Sequence, residues 1–212
     1  MTVNDLTHTI RPKMPVYPGT EPPHFGTACT ISQNGFSERK LTLYSHTGTH
    51  MDGPAHILPG AKTLDQFPVD HFYGRACVVD LRSVTGGIVE RFALQPYEHL
   101  MQDADFVLLH TGWSGLWEQE GYFTGYPVLE SKAAEWISEL GLKGVGMDMI
   151  SVDRENSSDF PIHRILLKKD TCIIENLTNL GELPGGMFSF WCLPLKLEDA
   201  EGAPVRAVAV VP

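Results

Sequence analysis

The sequence predicts a mixed α/β domain in which strands outnumber helices. Short runs rich in β-branched and aromatic residues recur from residue 38 to the end of the chain, whereas two helices are signalled. The 212 residues are 42% hydrophobic and 20% charged, a composition that supports one packed core. We therefore expect a single domain over residues 1–212, with helices interspersed among strands.

The first elements are an extended arm and a strand. Five prolines within residues 11–24 each remove a backbone donor and restrict the preceding residue, so a surface loop is predicted there. Residues 38–45 alternate, with Leu41 and Leu43 on one face and Thr42 and Tyr44 on the other. That period is typical of a half-buried strand.

Further strands and two helices follow along the chain. The strands are predicted over residues 75–81, 105–110, 144–149, 171–176, 187–193 and 205–211. Apolar residues at helical spacing predict the first helix: Leu129, Ala133, Trp136, Ile137 and Leu140. Gly141 would end that helix. The second helix is predicted to begin near Asp159, with Pro161 in its first turn. Its inward face would comprise Ile162, Ile165 and Leu166.

Charge and composition exclude several classes of partner. Sixteen Lys and Arg against 26 Asp and Glu give a formal net charge of −10, which opposes capture of nucleic acid or anionic lipid. The chain opens without an apolar signal region, and no segment approaches the ~20 apolar residues of a membrane span. The four cysteines are widely spaced and are predicted to be buried free thiols. We expect a cytosolic protein that acts on a small molecule.

Residues 46–56, HTGTHMDGPAH, concentrate groups that bind metals. His46, His50, Asp52 and His56 occur at even offsets, so an extended backbone would project them to one side. Catalytic zinc sites commonly use three imidazole or carboxylate ligands and leave a position for water, and manganese accepts similar donors. The first three residues can supply that set, which leaves His56 for proton transfer. A lone histidine is usually structural, but four such groups in eleven residues are hard to explain that way.

Two residues at the edges of apolar runs extend this site. Glu175 ends a predicted buried strand, where a carboxylate is costly unless it binds a cation or is otherwise paired. His163 lies in the first turn of the second helix, where it could bind metal or simply fill space. A second metal bridged by Asp52 would give both residues a role. His110 and Asp148 also end strands, and turn capping explains them at least as well as direct chemistry.

The segment resembles a known family. HTGTHMDGPAH matches the HxGTHxDxPxH signature of the cyclase family, which includes bacterial kynurenine formamidases and isatin hydrolases. GMDMISVD, His163 and ENLTNL are similar to later segments of that family, so the likeness spans nearly the whole chain. The resemblance implies a swivelling β/β/α-type fold, a catalytic divalent metal and hydrolysis of a small cyclic or aryl amide.

The resemblance also assigns roles to individual residues. By position, it gives a first metal to His46, His50 and Asp52, a second to Asp52, His163 and Glu175, and proton transfer to His56. It implies a homodimer or higher homo-oligomer, which the proline-rich arm also favours because small domains rarely leave such surface unpacked. One segment departs from the family: kynurenine formamidases have PVWPGD where this chain has PVYPGT. Tyr17 would therefore line the substrate pocket in place of Trp, and N-formylkynurenine is in question as substrate.

The predicted reaction is amide hydrolysis by metal-activated water. One or two divalent ions, Zn²⁺ or Mn²⁺, would lower the pKa of bound water toward ~7 and polarise the carbonyl under attack. His56 would take a proton from that water and return it to the leaving nitrogen. The sequence leaves open which amide, imide or lactone is cleaved.

Two alternatives to hydrolysis remain open. His50-x-Asp52 with a distant His163 mimics the two-His-one-carboxylate triad of a non-haem iron oxygenase, but leaves the other candidate ligands unexplained. A non-catalytic metal-binding protein would need the ligands but neither a proton carrier nor a substrate pocket. A serine nucleophile finds no support, because the sequence contains no GxSxG elbow.

Overall fold

The computed structural model describes residues 1–84 and 87–212. In these ranges the strands are β1 Thr2–Asp5, β2 His24–Cys29, β3 Glu38–Thr42, β4 His50–Asp52, β5 Tyr73–Asp80, β6 Ile88–Val89, β7 Phe106–His110, β8 Val128–Leu129, β9 Gly144–Met147, β10 Cys172–Glu175, β11 Phe188–Pro194 and β12 Gly202–Val211. The α-helices are α1 Ile31–Asn34, α2 Arg91–Leu94, α3 Glu98–Gln102, α4 Ser131–Ser138 and α5 Pro161–Leu167. Strands thus dominate a mixed α/β fold, as predicted.

Eight of the described strands form one mixed sheet, in the order β1, β12, β11, β5, β7, β9, β10, β4. The central strands β5, β7, β9 and β10 run parallel to their neighbours in this group. The remaining strands join in antiparallel pairs. Strand β4 pairs with β10 on one side and with β12 on the other, so the sheet closes into a barrel-like ring.

The central strands are buried on both faces, which is expected of parallel strands covered by other elements. On one face, Val78 of β5 belongs to a core that includes Phe106 and Phe190. On the other face, Val79 packs in a second core with Ile137 of α4. The two cores hold the central strands in place. One of these strands, β10, ends at Glu175.

The six strands predicted after residue 74 are confirmed, with ends that shift by a few residues. Both predicted helices are present as α4 and α5, and Pro161 begins α5 as expected. The prediction was wrong at Leu129, which lies in β8 and pairs with β6. Leu129 has helical spacing from Ala133, but the extended Glu130 separates it from the helix. Gly141 follows α4 with a φ of 72°, a conformation that glycine adopts without strain.

The strand predicted over residues 38–45 differs from the structure. Only Glu38–Thr42 is extended, and it pairs with β2 in a separate two-stranded hairpin. Every residue of β3 is exposed, including Leu41 at 55%, so the predicted half-burial was wrong. Neither hairpin strand pairs with another strand in the described residues. An alternating pattern sets which side chains share a face, but it does not supply a layer to cover that face.

The segments beside the hairpin follow the prediction more closely. Residues 11–23 contain neither helix nor strand, and β2 begins at His24. Met14 within this arm is buried against the body of the protein. The four cysteines are free thiols, of which all but Cys29 are buried. No helix in the described ranges combines the length and hydropathy needed to cross a bilayer.

Candidate active site

The HTGTHMDGPAH segment is not extended along its whole length, so the shared-face argument was wrong for its outer histidines. Only His50–Asp52 form strand β4. Gly48, with a φ of 68°, turns the chain before the strand, and a 3-10 turn over Pro54–His56 follows it. These turns nevertheless fold His46 back onto the strand, where its Nδ1 lies 2.6 Å from Asp52 Oδ1.

Asp52 is the centre of a buried cluster formed by the five predicted metal ligands. Its Oδ1 also lies 3.3 Å from His50 Nε2, and its Oδ2 lies 3.7 Å from His163 Nε2. Glu175 is the cross-strand partner of His50, and its Oε2 lies 3.4 Å from His50 Nε2. The other oxygen of Glu175 lies 3.5 Å from His163 Nε2. Strands β4 and β10 and helix α5 therefore bring His46, His50, Asp52, His163 and Glu175 together.

Two of the imidazoles are oriented by their outer ring nitrogens. His50 Nδ1 donates a hydrogen bond to the Gly48 carbonyl at 2.8 Å, and His163 Nδ1 donates to Asp153 at 2.7 Å. Asp153 also accepts the main-chain N–H groups of Ile162 and His163 at the start of α5. Both Nε2 atoms are thereby directed at the carboxylates, as in histidines that bind metals. The sequence analysis missed Asp153, although it lies in the GMDMISVD segment.

Charge compensation governs protonation in this cluster. Burial lowers the pKa of His50, but hydrogen bonds and charges from Asp52 and Glu175 outweigh burial and raise it to about 10. Burial also opposes charge on His163, yet the neighbouring carboxylates raise its pKa well above the usual value. Burial raises the pKa of Asp52, but the adjacent histidines hold it well below the usual range. The buried carboxylates thus require nearby positive charge, which protonated imidazoles or a divalent cation can supply.

The donor set also fits a metal ion. Glu175 Oε1 and His46 Nε2 are buried and have no hydrogen-bond partner among the described residues. Gly202 packs directly on the His46 ring, and an added Cβ would lie 2.4 Å from Cε1. A side chain at position 202 would therefore displace this imidazole. Ligand atoms of two groups lie within 4.8 Å of one another: His50, Asp52 and Glu175, and His46, Asp52 and His56. Imidazole and carboxylate donors of this kind suit zinc and manganese.

The cluster lies on a cavity of about 350 Å³. Tyr17 from the proline-rich arm lines the cavity together with Tyr44 and Phe160, so the residue predicted to contact substrate does face this space. His56 also lines it, with its ring centroid 4.1 Å from that of His46. Burial lowers the pKa of His56 in spite of the opposing charge of Asp52. The cavity therefore combines an aromatic wall with a polar, titratable floor.

The two remaining candidates from the sequence, His110 and Asp148, lie away from the cavity. Asp148 accepts hydrogen bonds from the main-chain N–H groups of Thr111 and Gly112, so it caps the turn that follows β7. His110 is buried beside Gly181. Neither is among the described residues that line the cavity. Turn capping is the correct explanation for Asp148.

Two further residues support the site and were missed by the sequence analysis. Asn176, with a φ of 59°, donates from Nδ2 to the Gly48 carbonyl at 2.8 Å and so holds the turn before β4. Glu201 accepts a hydrogen bond from Ser45 Oγ at 2.6 Å and lines the cavity. Asn176 lies in the ENLTNL segment, whose similarity to the cyclase family could have pointed to it. Glu201 lies in a loop whose composition gives no sign of a functional residue.

Comparison with known proteins shows the family to which the chain belongs. Residues 4–154 match the Cyclase family model. A kynurenine formamidase from Bacillus cereus is 31% identical over 208 residues, which cover 96% of this chain and 95% of that protein.

Solved structures show the same architecture. Isatin hydrolase A from Ralstonia solanacearum has a TM-score of 0.86 and 25% identity, and the match covers 100% of this chain and 92% of that one. A predicted metal-dependent hydrolase from Bacillus stearothermophilus has a TM-score of 0.81 and 27% identity, with coverages of 98% and 97%. These likenesses confirm the predicted strand-dominated fold class. On the family model and the full-length relative together, the chain belongs to the Cyclase family.

Proposed function

We propose that this protein is a metal-dependent amidohydrolase that cleaves the non-peptide C–N bond of a small aryl formamide or cyclic amide. The observation that carries the proposal is the pair of buried carboxylates, Asp52 and Glu175, surrounded by imidazoles at the floor of an aromatic-walled cavity. Relatives named as a kynurenine formamidase, an isatin hydrolase and a metal-dependent hydrolase support the same chemistry. The comparisons give no support to an oxygenase or to a non-catalytic metal-binding protein.

The two ligand sets are those that the family resemblance implies, and Asp52 lies close to members of both. His46, His50 and Asp52 would hold one cation, and Asp52, His163 and Glu175 would hold a second. A bound divalent cation supplies Lewis-acid chemistry, since it lowers the pKa of water and polarises a carbonyl. Zinc and manganese both accept this donor set.

His56 is assigned to proton transfer. It lies on the 3-10 turn after β4 and faces the cavity, and its ring centroid is 4.1 Å from that of His46, with the two rings tilted by 37°. From this position a neutral imidazole can accept a proton from the attacking water and then donate it to the leaving nitrogen. The C–N bond breaks as the new C–O bond completes the acid product.

The cavity walls indicate the shape of the substrate. Tyr17, Tyr44 and Phe160 offer aromatic surface on which a flat aryl group can pack. A formamide or lactam attached to an aryl ring would then present its carbonyl to the polar floor. Tyr17 contributes from the same chain as the metal ligands.

We also propose that the protein assembles as a homodimer or higher homo-oligomer in the cytosol. Within the described residues the β2–β3 hairpin pairs with no other strand, and it exposes the large apolar side chains of Ile31, Phe36 and Leu41. Exposed apolar patches of this kind are typical of association surfaces, and closed homo-oligomers are common. Free cysteines accord with a reducing compartment.

A substrate panel tests the proposed reaction. Metal-replete protein is expected to hydrolyse at least one member of a panel of aryl formamides, isatin-like lactams and cyclic imides. Removal of the metal with a chelator should abolish turnover, and Zn²⁺ or Mn²⁺ should restore it, because the cation activates the water. Turnover that persists after elemental analysis shows the metal to be gone would contradict the proposal.

His56→Ala separates proton transfer from metal binding. We expect turnover to fall by about a hundredfold to ten-thousandfold, the usual contribution of a positioned acid-base group, while metal content stays at the wild-type level. Elemental analysis and steady-state kinetics measure the two quantities. His99→Ala, which removes an exposed histidine from α3, is the matched control. A parallel loss of metal would instead make His56 a ligand, a role that its distance to His46 and Asp52 also permits.

Glu175→Gln tests the second metal site. The amide keeps the shape of the side chain but removes its charge, so the metal content should fall from about two ions per chain to about one. Inductively coupled plasma spectrometry of the dialysed protein gives this ratio. Glu182→Gln, at an exposed position, should leave it unchanged. An equal number of metal ions per chain in wild type and Glu175→Gln would contradict a second metal site completed by Glu175 and would favour a one-metal enzyme.

Association through the hairpin is tested by light scattering. Wild type should be at least a dimer at micromolar concentration, and Phe36→Ser should shift the mass toward that of the monomer by removing apolar surface from the hairpin. Phe92→Ser is the control, since Phe92 is also exposed but lies on α2. A monomeric wild type, or equal shifts in both variants, would refute association at the hairpin.

A further inference from the structure

The third imidazole of the cluster has an outer partner that the proposed function does not use. His50 and His163 each bond the protein through Nδ1 and direct Nε2 at the carboxylates. His46 is reversed: its Nδ1 faces Asp52 at 2.6 Å, and its Nε2 points away from the cluster. That outer nitrogen is buried without a hydrogen bond among the described residues, and the nearest carboxylate is Glu201, with Oε1 at 3.4 Å.

The carboxylate of Glu201 is held beside His46 by the barrel closure. Glu201 immediately precedes Gly202, which pairs with Asp52 across β12 and β4. Its main-chain carbonyl accepts the N–H of Gly53 at 2.8 Å, and its side chain accepts the hydroxyl of Ser45 at 2.6 Å. Ser45 directly precedes the HTGTHMDGPAH segment, and Gly53 lies within it. The position of the carboxylate is thus tied to the same strand as the ligands.

The Glu201 side chain has room to move toward His46. The side chain is 43% exposed. It can therefore shorten the 3.4 Å contact to the ~2.9 Å of a hydrogen bond without disturbing the core.

We propose that Glu201 is a positioning residue that accepts a hydrogen bond from His46 Nε2 and so directs Nδ1 at the metal. This inference rests on the proposed function, because it concerns the same metal site. Glu201 would act on His46 as Asp153 acts on His163. Ligating histidines are generally oriented by such partners, and loss of one typically lowers metal affinity 10- to 100-fold.

Metal binding measured directly tests this role. Wild type, Glu201→Ala, Glu201→Gln and Ser45→Ala are loaded with Co²⁺ or Zn²⁺ in competition with a chromophoric chelator. Glu201→Ala should bind one of its ions about 10- to 100-fold more weakly, with an altered Co²⁺ absorption spectrum. Glu201→Gln should weaken binding less, since its amide oxygen still accepts a hydrogen bond. Ser45→Ala should also have a smaller effect, because Glu201 itself remains.

The control is Glu198→Ala, which removes another exposed carboxylate from the same loop and should bind metal as wild type does. Thermal melting of each variant separates metal affinity from folding, and Glu201→Gln preserves side-chain shape if Glu201→Ala is unstable. Unchanged affinity and spectrum in both Glu201 variants would overturn the positioning role and leave the proposed function standing. Loss of a whole metal equivalent at saturating Co²⁺ would make Glu201 a ligand and equally overturn it. A wild type that binds no metal would refute the proposed function itself.

Discussion

The burial of two carboxylates in one place is the constraint on which the site depends. Asp52 and Glu175 are both nearly inaccessible to water, and such groups are stable in an interior only beside positive charge. Three imidazoles surround them, and two of these are fixed by further hydrogen bonds to Gly48 and Asp153. The arrangement costs folding free energy unless a cation or protonated histidines balance it. A metal site explains why the chain retains this buried cluster of carboxylates and imidazoles.

The same residues join the site to the architecture. Strand β4 is only three residues long, yet it pairs with both β10 and β12 and thereby closes the ring. Its middle residue, Met51, packs in the core, while His50 and Asp52 on either side belong to the buried polar cluster. The register with β10 places Glu175 opposite His50. The strand pairing that closes the sheet therefore also brings His50, Asp52 and Glu175 together.

The sequence could predict what is local and periodic, and it failed where distant parts of the chain decide the outcome. Buried strands such as β7 and β10 carry continuous apolar runs, and their existence was predicted. The spacing of histidines in HTGTHMDGPAH pointed to residues that the structure brings together around Asp52, although a positive φ at Gly48 rather than an extended backbone brings His46 into place. Every residue of β3 is exposed because no layer covers this strand in the described residues. The alternation of apolar and polar residues does not encode whether such a layer exists. Glu201 reaches the site only through the pairing of β12 with β4.

The floor and the walls of the cavity have different structural origins, and this division bears on how the family diversifies. The floor is built from paired strands and a helix, where substitutions disturb buried charges and backbone ladders. Tyr17 and Thr20 lie in an arm without helix or strand, where exchanges cost the fold little. Exchanges in the arm can therefore change the cavity wall while the buried cluster at its floor stays intact. Tyr17, which stands where the PVWPGD pattern named in the sequence analysis has tryptophan, lies at a position of this kind.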